Sequence, residues 1–270
     1  MFPRIASFKT PDFLRGIFPD EFVINSYGFC IGLGIVFAYF ILLHKTKKYG
    51  TNKDNLSELL LWSFLAAFVG GKLFYYLEDP SKYISDPALM FKNLGNGFVF
   101  YGSLIFVIPT MYLWLRHKKI PFLPFMDGVA FAGPVLHSMG RLGCFLAGCC
   151  HGKVCNNAFG VVFSDPHSAA SPKNVPLYPT QLFDIGINLI TLAIVYFLSK
   201  RQKFNGQLFL TYIILYAIGR IINENFRGDE ARGFLFGGSL SFSQFIAIAL
   251  IVLSGISWYL LSKREDQQIS

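Results

Sequence analysis

Seven apolar stretches constrain this chain more than any single motif does: residues roughly 24 to 43, 57 to 77, 98 to 115, 126 to 147, 182 to 198, 207 to 222 and 239 to 261. Crossing the hydrocarbon of a bilayer takes about 20 mostly apolar residues, so each stretch is a candidate span. Inside lipid the backbone N–H and C=O groups must be satisfied within the segment, which predicts a helix for all seven. The expected fold is all-α, a polytopic membrane protein with about seven transmembrane helices in a single domain over residues 1–270. Composition agrees, since 53% of residues are hydrophobic and only 15% are charged, outside the range of an ordinary soluble domain.

The formal net charge of +8 does not indicate a nucleic-acid partner, because the basic residues sit in short clusters between apolar runs rather than on one face. Their distribution instead sets an orientation. HKTKKYGTNKDN, RHKKI, SKRQKFN and the SKRED tail hold 12 of the 24 lysines and arginines in short linkers. The amino-terminal arm and the other loops spread nine over longer stretches. That asymmetry predicts an amino terminus outside and a carboxyl terminus in the cytoplasm. MFPRIASFKTPDFLRG lacks the apolar core and cleavage site of a signal peptide, so the first span is expected to target the chain. The connection over about 148–181, rich in Gly, Pro, Asn and Ser, is expected to form an extracytoplasmic cap.

Three cations remain inside spans: Lys72, Arg141 and Arg220. A cation in hydrocarbon is costly unless it meets water or a counter-charge, so each marks a functional candidate. Lys72 follows Gly70 and Gly71 in FVGGKLFYYLEDP near a helix end, where snorkelling is the competing explanation. Arg141 has apolar flanks, and the neighbouring Gly140 and Gly143 leave room for another helix or a head group. His137, Arg141, Cys144 and Gly148 recur at spacings of four, three and four, one face of a helix. In GRIINENFRGDE, Arg220, Glu224 and Arg227 form a similar row. An Arg220–Glu224 pair would neutralise one arginine and leave the other for an anion such as a phosphate, which guanidinium grips with paired donors.

Four of the five cysteines crowd into GRLGCFLAGCCHGKVC, residues 140 to 155; Cys30 lies alone in the first span and reads as a core residue. Cys144, Cys149, Cys150, His151 and Cys155 offer enough thiolate and imidazole for a tetrahedral zinc, but their spacing does not match paired C-x-x-C knuckles. A disulfide among Cys149, Cys150 and Cys155, or reduced packing, are the other readings, and no metal is assigned. Of the histidines, only His137 and His151 flank Arg141 and could act as a base beside a bound phosphate.

With these residues laid out, the chain resembles the prolipoprotein diacylglyceryl transferases, bacterial inner-membrane enzymes with seven membrane helices. NSYGFCIGLG, FVGGKLFYYLEDP, FVFYGSLIFV, GRLGCFLAG, YPTQLFD and GRIINENFR carry the resemblance in order along nearly the whole chain. It implies a multi-pass protein of the bacterial cytoplasmic membrane. The implied reaction moves the diacylglyceryl group of phosphatidylglycerol onto the lipobox cysteine thiol of a prolipoprotein, making a thioether without a cofactor. Carried over by position, Arg141 would hold the lipid phosphate, Tyr27 would lie in the site, and Arg220, Glu224 and Arg227 would form a second polar cluster. Gln181 would line the same region, with Gly102, Gly140, Gly143, Gly148 and Lys72 among the substrate-binding positions.

The chain departs from the best-known members at several of these motifs. Tyr101, Gly102 and Ser103 stand where those members carry His-Gly-Gly, and Cys144, Ala147 and Cys149 replace two asparagines and a glutamate. A transferase built this way needs another proton acceptor, for which Tyr101, His137 and His151 are the candidates and His137 is favoured because it shares Arg141's face. The alternative is a diverged protein of the same fold whose phospholipid site serves thiol redox chemistry, another lipid-dependent transfer or lipid binding alone.

Overall fold

The computed structural model describes residues 2–9, 21–92, 97–228, 234–235 and 240–269. Among these the chain is mostly helical. An antiparallel hairpin, β1 (Arg4–Lys9) and β2 (Glu21–Asn25), leads into α1 (Ser26–Thr46), followed by α2 (Lys53–Glu78) and the short α3 (Pro80–Ser85) and α4 (Ala88–Lys92). Then come α5 (Phe100–His117), α6 (Phe122–Ala147), the two-residue strands β3 (Val161–Val162) and β4 (Pro176–Leu177), α7 (Thr180–Ser199) and α8 (Gln207–Glu224). The strands β5 (Phe234–Leu235) and β6 (Leu240–Ser241) precede the last helix, α9 (Phe242–Ile269). The mostly helical fold agrees with the all-α expectation, and three two-stranded antiparallel sheets sit among the described connections. They lie in the connections or at the edges of the long apolar runs, where pairing across a hairpin replaces the helix ladder.

Five helices are long and apolar enough to cross a membrane: Ser26–Thr46, Lys53–Glu78, Phe122–Ala147, Thr180–Ser199 and Phe242–Arg264. Their outward faces carry large apolar side chains, with Phe64 at 66% exposure, Phe197 at 65% and Leu253 at 61%. Such contiguous apolar surface is stable against lipid and not against water. The chain is a multi-pass membrane protein by this criterion. The stretches 98 to 115 and 207 to 222 are the 18-residue helices α5 and α8.

The chain forms two compact units. The first comprises Met1–Leu42 and Met126–Ser270, the second Leu43–Phe125. In the first, α6, α7 and α8 share a core of Ala130, Phe131, Val195 and Leu208. Asp127, buried near the start of α6, fixes the entry to α8: its carboxylate accepts from the backbone N–H groups of Gly206, Leu208 and Phe209 at 2.7, 2.9 and 3.1 Å and from the Gln202 amide at 2.6 Å. An anion at a helix amino terminus satisfies donors that have no partner within the helix and meets the positive end of its dipole. The segment between α6 and α7 has its own small core of Phe163, Ala170 and Leu177, with Phe145 of α6 packed against it. Backbone bridges Gly152–Arg227 and Val154–Leu177 tie it further, so the expected cap region has an ordered fold.

In the second unit α2 packs on α5. A Cβ at Gly70 would run into the Gly102 carbonyl oxygen and the Phe106 side chain, and one at Gly102 into the Gly70 carbonyl. The two glycines thus let the backbones meet directly, as small residues do in membrane helix pairs. Ser103 adds a hydrogen bond to the Ala67 carbonyl at 2.9 Å. Gly102 and Ser103 are accounted for by this packing, while Tyr101 is 53% exposed on the same helix. Lys72 does not snorkel: it is buried and donates to the Gly97 carbonyl at 2.9 Å, with its ammonium 5.5 Å from the centre of the Tyr75 ring.

Candidate active site

Arg141 lies on the last two turns of α6, where residues 137, 141 and 144 fall on one face. Its Nε forms an ion pair with Oδ2 of Asp184 at 2.9 Å and donates to His137 Nε2 at 3.4 Å. Asp184, on the second turn of α7, is buried, and its Oδ1 accepts from the Asn223 amide of α8 at 2.6 Å. Asn223 also donates to the Thr180 carbonyl at 3.0 Å, and Asn188 to the Asp184 carbonyl at 2.8 Å. Three helices therefore converge through one carboxylate. Burying that charge is tolerable because Oδ2 is paired with Arg141 and Oδ1 accepts a hydrogen bond.

Asp184, the last residue of YPTQLFD, is not among the sequence candidates above, which are cations inside apolar spans. The same cost argument applied to anions identifies it.

Arg220 makes the expected turn-to-turn pair with Glu224 at 2.7 Å and donates through Nη2 to Ser243 of α9 at 3.0 Å. Its Nη1 is buried and, among the described residues, has no hydrogen-bond partner. Both Arg141 and Arg220 act electrostatically on His137, so the two guanidinium groups belong to one region. The helical row does not reach Arg227. The helix α8 ends at Glu224, and Arg227 lies in a turn beyond it, buried and bridged through its backbone to Gly152.

The predicted glycines have different settings. A Cβ at Gly143 would crowd the Tyr27 backbone and the Cys30 side chain, so this glycine permits the approach of α1. A Cβ at Gly140 would meet nothing within 4 Å, so close helix packing does not explain it. Gly148 has φ +78°, the left-handed conformation that commonly terminates a helix, and ends α6 there rather than continuing its face. Tyr27, 44% exposed, senses the charges of Arg141 and of Cys144, Cys149 and Cys150.

Beyond Gly148 the chain turns back on the helix end. The N–H of Cys149 bonds the Cys144 carbonyl at 3.1 Å, and α7 fixes both following carbonyls: the Gln181 amide donates to that of Cys149 at 2.7 Å and the Thr180 hydroxyl to that of Cys150 at 2.8 Å. Gln181, fully buried, thus anchors the cysteine turn. The sulfurs of Cys144, Cys149 and Cys150 lie within 4.8 Å of one another, and all five cysteines are free thiols. The neighbouring Cys144 and Cys149 thiols hold the Cys150 thiol below its ordinary value against the opposing effect of burial, with help from Arg227 and Arg141. The Cys144 thiol beside it favours the Cys149 thiolate, but the Cys150 thiol and burial push it up to about 11, and its Sγ donates to the Cys144 carbonyl at 3.8 Å. Cys155 stands apart, its thiol 2.8 Å from Asn157 Oδ1.

The histidines are committed. His151 Nε2 accepts from the Ser171 N–H at 3.2 Å, so its Nδ1 carries the hydrogen donated to the Gly152 carbonyl at 2.9 Å. His137 turns its Nε2 lone pair toward Arg141, and its ring meets that of Tyr216 at a tilt of 53° with the centroids 5.1 Å apart. Lys72, Tyr101 and Gly102 belong to the unit of α2 and α5 and are described there.

A profile of the prolipoprotein diacylglyceryl transferase family matches residues 17–260. The chain belongs to that family. It is 36% identical over 230 residues to the phosphatidylglycerol–prolipoprotein diacylglyceryl transferase of Clostridium tetani, covering 85% of this chain and 90% of that protein. It is 35% identical over 245 residues to transferase 2 of Clostridium perfringens, covering 91% and 93%. With the enzyme of that name in Rickettsia bellii the identity is 32% over 258 residues, covering 92% and 93%. In this chain Arg141, Asp184 and Asn223 link α6, α7 and α8, and Arg220 pairs with Glu224 on α8.

Proposed function

We propose that this protein transfers the diacylglyceryl group of phosphatidylglycerol to the lipobox cysteine thiol of prolipoproteins, the first covalent step of lipoprotein maturation. The reading rests on the family membership together with one observation, the Arg141 fork. Its Nε is taken by Asp184, and among the described residues its two terminal nitrogens make no bond. That leaves a planar pair of donors, oriented from behind by a buried carboxylate, for a phosphate.

In the reaction the lipobox sulfur attacks the glycerol carbon of the lipid. The carbon–oxygen bond to phosphate breaks, and glycerol phosphate departs with the electron pair. Charge accumulates on the phosphate, so fixed guanidinium groups in a dry site lower the barrier. Arg141 is assigned to hold the phosphate, and the unpartnered Nη1 of Arg220 is a second donor to it. Tyr27, Gly140 and Gly143 are assigned to the lipid-facing approach, Gln181 and Gly148 to the turn that shapes its outer edge, and Arg227 and Glu224 to the charge balance around it. His137 orients Arg141. Tyr101, exposed on α5, is assigned to lipid contact, while Gly102 and Lys72 serve the packing of α2 on α5 and the Gly97 turn. All seven long helices span the bacterial cytoplasmic membrane, with the amino terminus outside and the carboxyl terminus in the cytoplasm.

The test is rescue. Expression in cells depleted of their own transferase restores growth and lipid-modified prolipoprotein, and Arg141→Ala at equal membrane abundance does not. Failure of the wild-type chain to rescue, at a level where a relative does, removes the proposal.

A further inference from the structure

We propose that Cys144, Cys149 and Cys150 form a zinc site with one open coordination position, and that this position takes the lipobox cysteine of the incoming prolipoprotein. The role of the open position rests on the transferase reading; the metal site does not.

The three sulfurs already lie within 4.8 Å of one another. A tetrahedral zinc with bonds of about 2.3 Å holds its sulfurs about 3.8 Å apart, so the cluster needs to contract by at most about 1 Å. Sequence spacing argued against a metal because Cys144 precedes the adjacent pair by five positions, unlike a knuckle. Folding removes that objection: α6 ends at Ala147, Gly148 reverses the chain, and Cys149 bonds back to the Cys144 carbonyl. Cys150 holds φ +59°, a left-handed conformation uncommon for a residue with a Cβ. It is kept there by the Thr180 hydroxyl on its carbonyl, while Gln181 holds that of Cys149. A turn clamped at two successive carbonyls is a preorganised ligand set.

The donor set selects the metal. Thiolates favour zinc or copper(I) over hard cations, and three protein ligands with a fourth position open is the pattern of a catalytic rather than a structural zinc. Among the described residues no further histidine, cysteine or carboxylate joins the three, and Cys155 is turned to Asn157. Three thiolates with one divalent cation carry a single negative charge, and Arg141 and Arg227 act electrostatically on Cys150.

The chemistry explains why this chain has the cluster. Thiol alkylation needs a thiolate. Around the cluster, Asp184 and Glu224 are paired with arginines, His137 faces Arg141, and both nitrogens of His151 are used. Coordination to zinc deprotonates a thiol without a protein base. The lipobox thiol would bind as thiolate and release its proton. The sulfur would then attack the glycerol carbon of phosphatidylglycerol, forming the carbon–sulfur bond as the carbon–oxygen bond breaks. Glycerol phosphate would leave as a dianion able to take up the released proton, and the neutral thioether, a poorer ligand, would dissociate. No oxidant or reductant is consumed.

The test uses the full chain purified in detergent without chelators. Metal analysis is expected to find about one zinc per chain, lost in Cys144→Ser and Cys149→Ser and kept in Cys155→Ser and Cys30→Ser. The wild-type chain, stripped and reloaded with Co²⁺, is expected to show tetrahedral d–d bands and a thiolate charge-transfer band. That band should strengthen with a lipobox peptide and stay unchanged with its Cys→Ser counterpart, which avoids reliance on variants that fail to fold. A wild-type chain that holds no zinc and takes up no Co²⁺ overturns the site; a loaded site blind to the peptide thiol overturns its role. Transfer from phosphatidylglycerol, assayed in parallel, separates the two readings. Transfer without metal would sink the zinc proposal alone, and a zinc-loaded chain that binds the peptide thiol without transfer would sink the transferase reading alone.

Discussion

Asp184→Asn isolates the charge that holds Arg141. The replacement keeps one oxygen for the Asn223 amide, which Asp184 Oδ1 now accepts at 2.6 Å, and removes only the ion pair with Arg141 at 2.9 Å. At that separation two unit charges in an effective dielectric of about 20 attract by roughly 6 kcal/mol, and desolvation of the two ions offsets about half or more. The side chains are only 15% and 6% exposed, so solvent screening is weak. A double-mutant cycle of Asp184→Asn with Arg141→Gln should therefore give a coupling of about 2–3 kcal/mol. The measurement is the unfolding free energy of each variant in mixed micelles titrated with denaturing detergent. Asp184→Asn alone leaves Arg141 buried and uncompensated, so it should destabilise more than the double variant does. A coupling below about 0.5 kcal/mol, or a double variant as unstable as the sum of the singles, would refute the claim that this pair anchors the site.

Other outcomes follow from named contacts. Arg141→Lys keeps the charge but not the fork, so one ammonium cannot serve both Asp184 and a phosphate; losing one or two charge-assisted bonds should lower kcat/KM by about 10²–10⁴-fold, read in a transfer assay. His137→Asn should reduce kcat by less than about tenfold with an unchanged pH profile, because a general base would contribute about 10²–10⁴; a larger loss would restore His137 as the base. Asp127→Ala releases three backbone N–H groups and the Gln202 amide, and should cost about 2–4 kcal/mol of stability in the same micelle titration while leaving the KM of the folded fraction unchanged. Gly70→Val would drive α2 and α5 apart at Gly102 and should lower stability by about 1–3 kcal/mol, seen as a drop in Tm.

The helices were legible because hydrocarbon requires long apolar runs and satisfies them in one way, so 126 to 147 and 182 to 198 could be bounded to within a few residues. Arg141 and the Arg220–Glu224 pair were legible by cost and by spacing. Asp184 carries the same cost as those cations, since an anion in a span is equally stranded, but its partners Arg141 and Asn223 lie on other helices and leave no spacing signal around it. The cysteine cluster escaped for a different reason: its geometry depends on a left-handed Gly148 and Cys150 and on clamps from Thr180 and Gln181, about 30 residues away in the chain. Asp127 carries no local signal in the sequence, because its four partners come from a turn some 80 residues later. Gly140 and Gly143 read alike in sequence, yet only Gly143 meets a neighbouring helix.

The most direct test of the transferase account is a mass measurement. Purified protein, phosphatidylglycerol in mixed micelles and a synthetic lipobox peptide are incubated, and the peptide is weighed. The account predicts that the peptide gains one diacylglyceryl group on its cysteine sulfur, that glycerol phosphate appears in equal amount, and that Arg141→Ala abolishes both. An unmodified peptide, under conditions where the Clostridium tetani relative modifies it, would contradict the account.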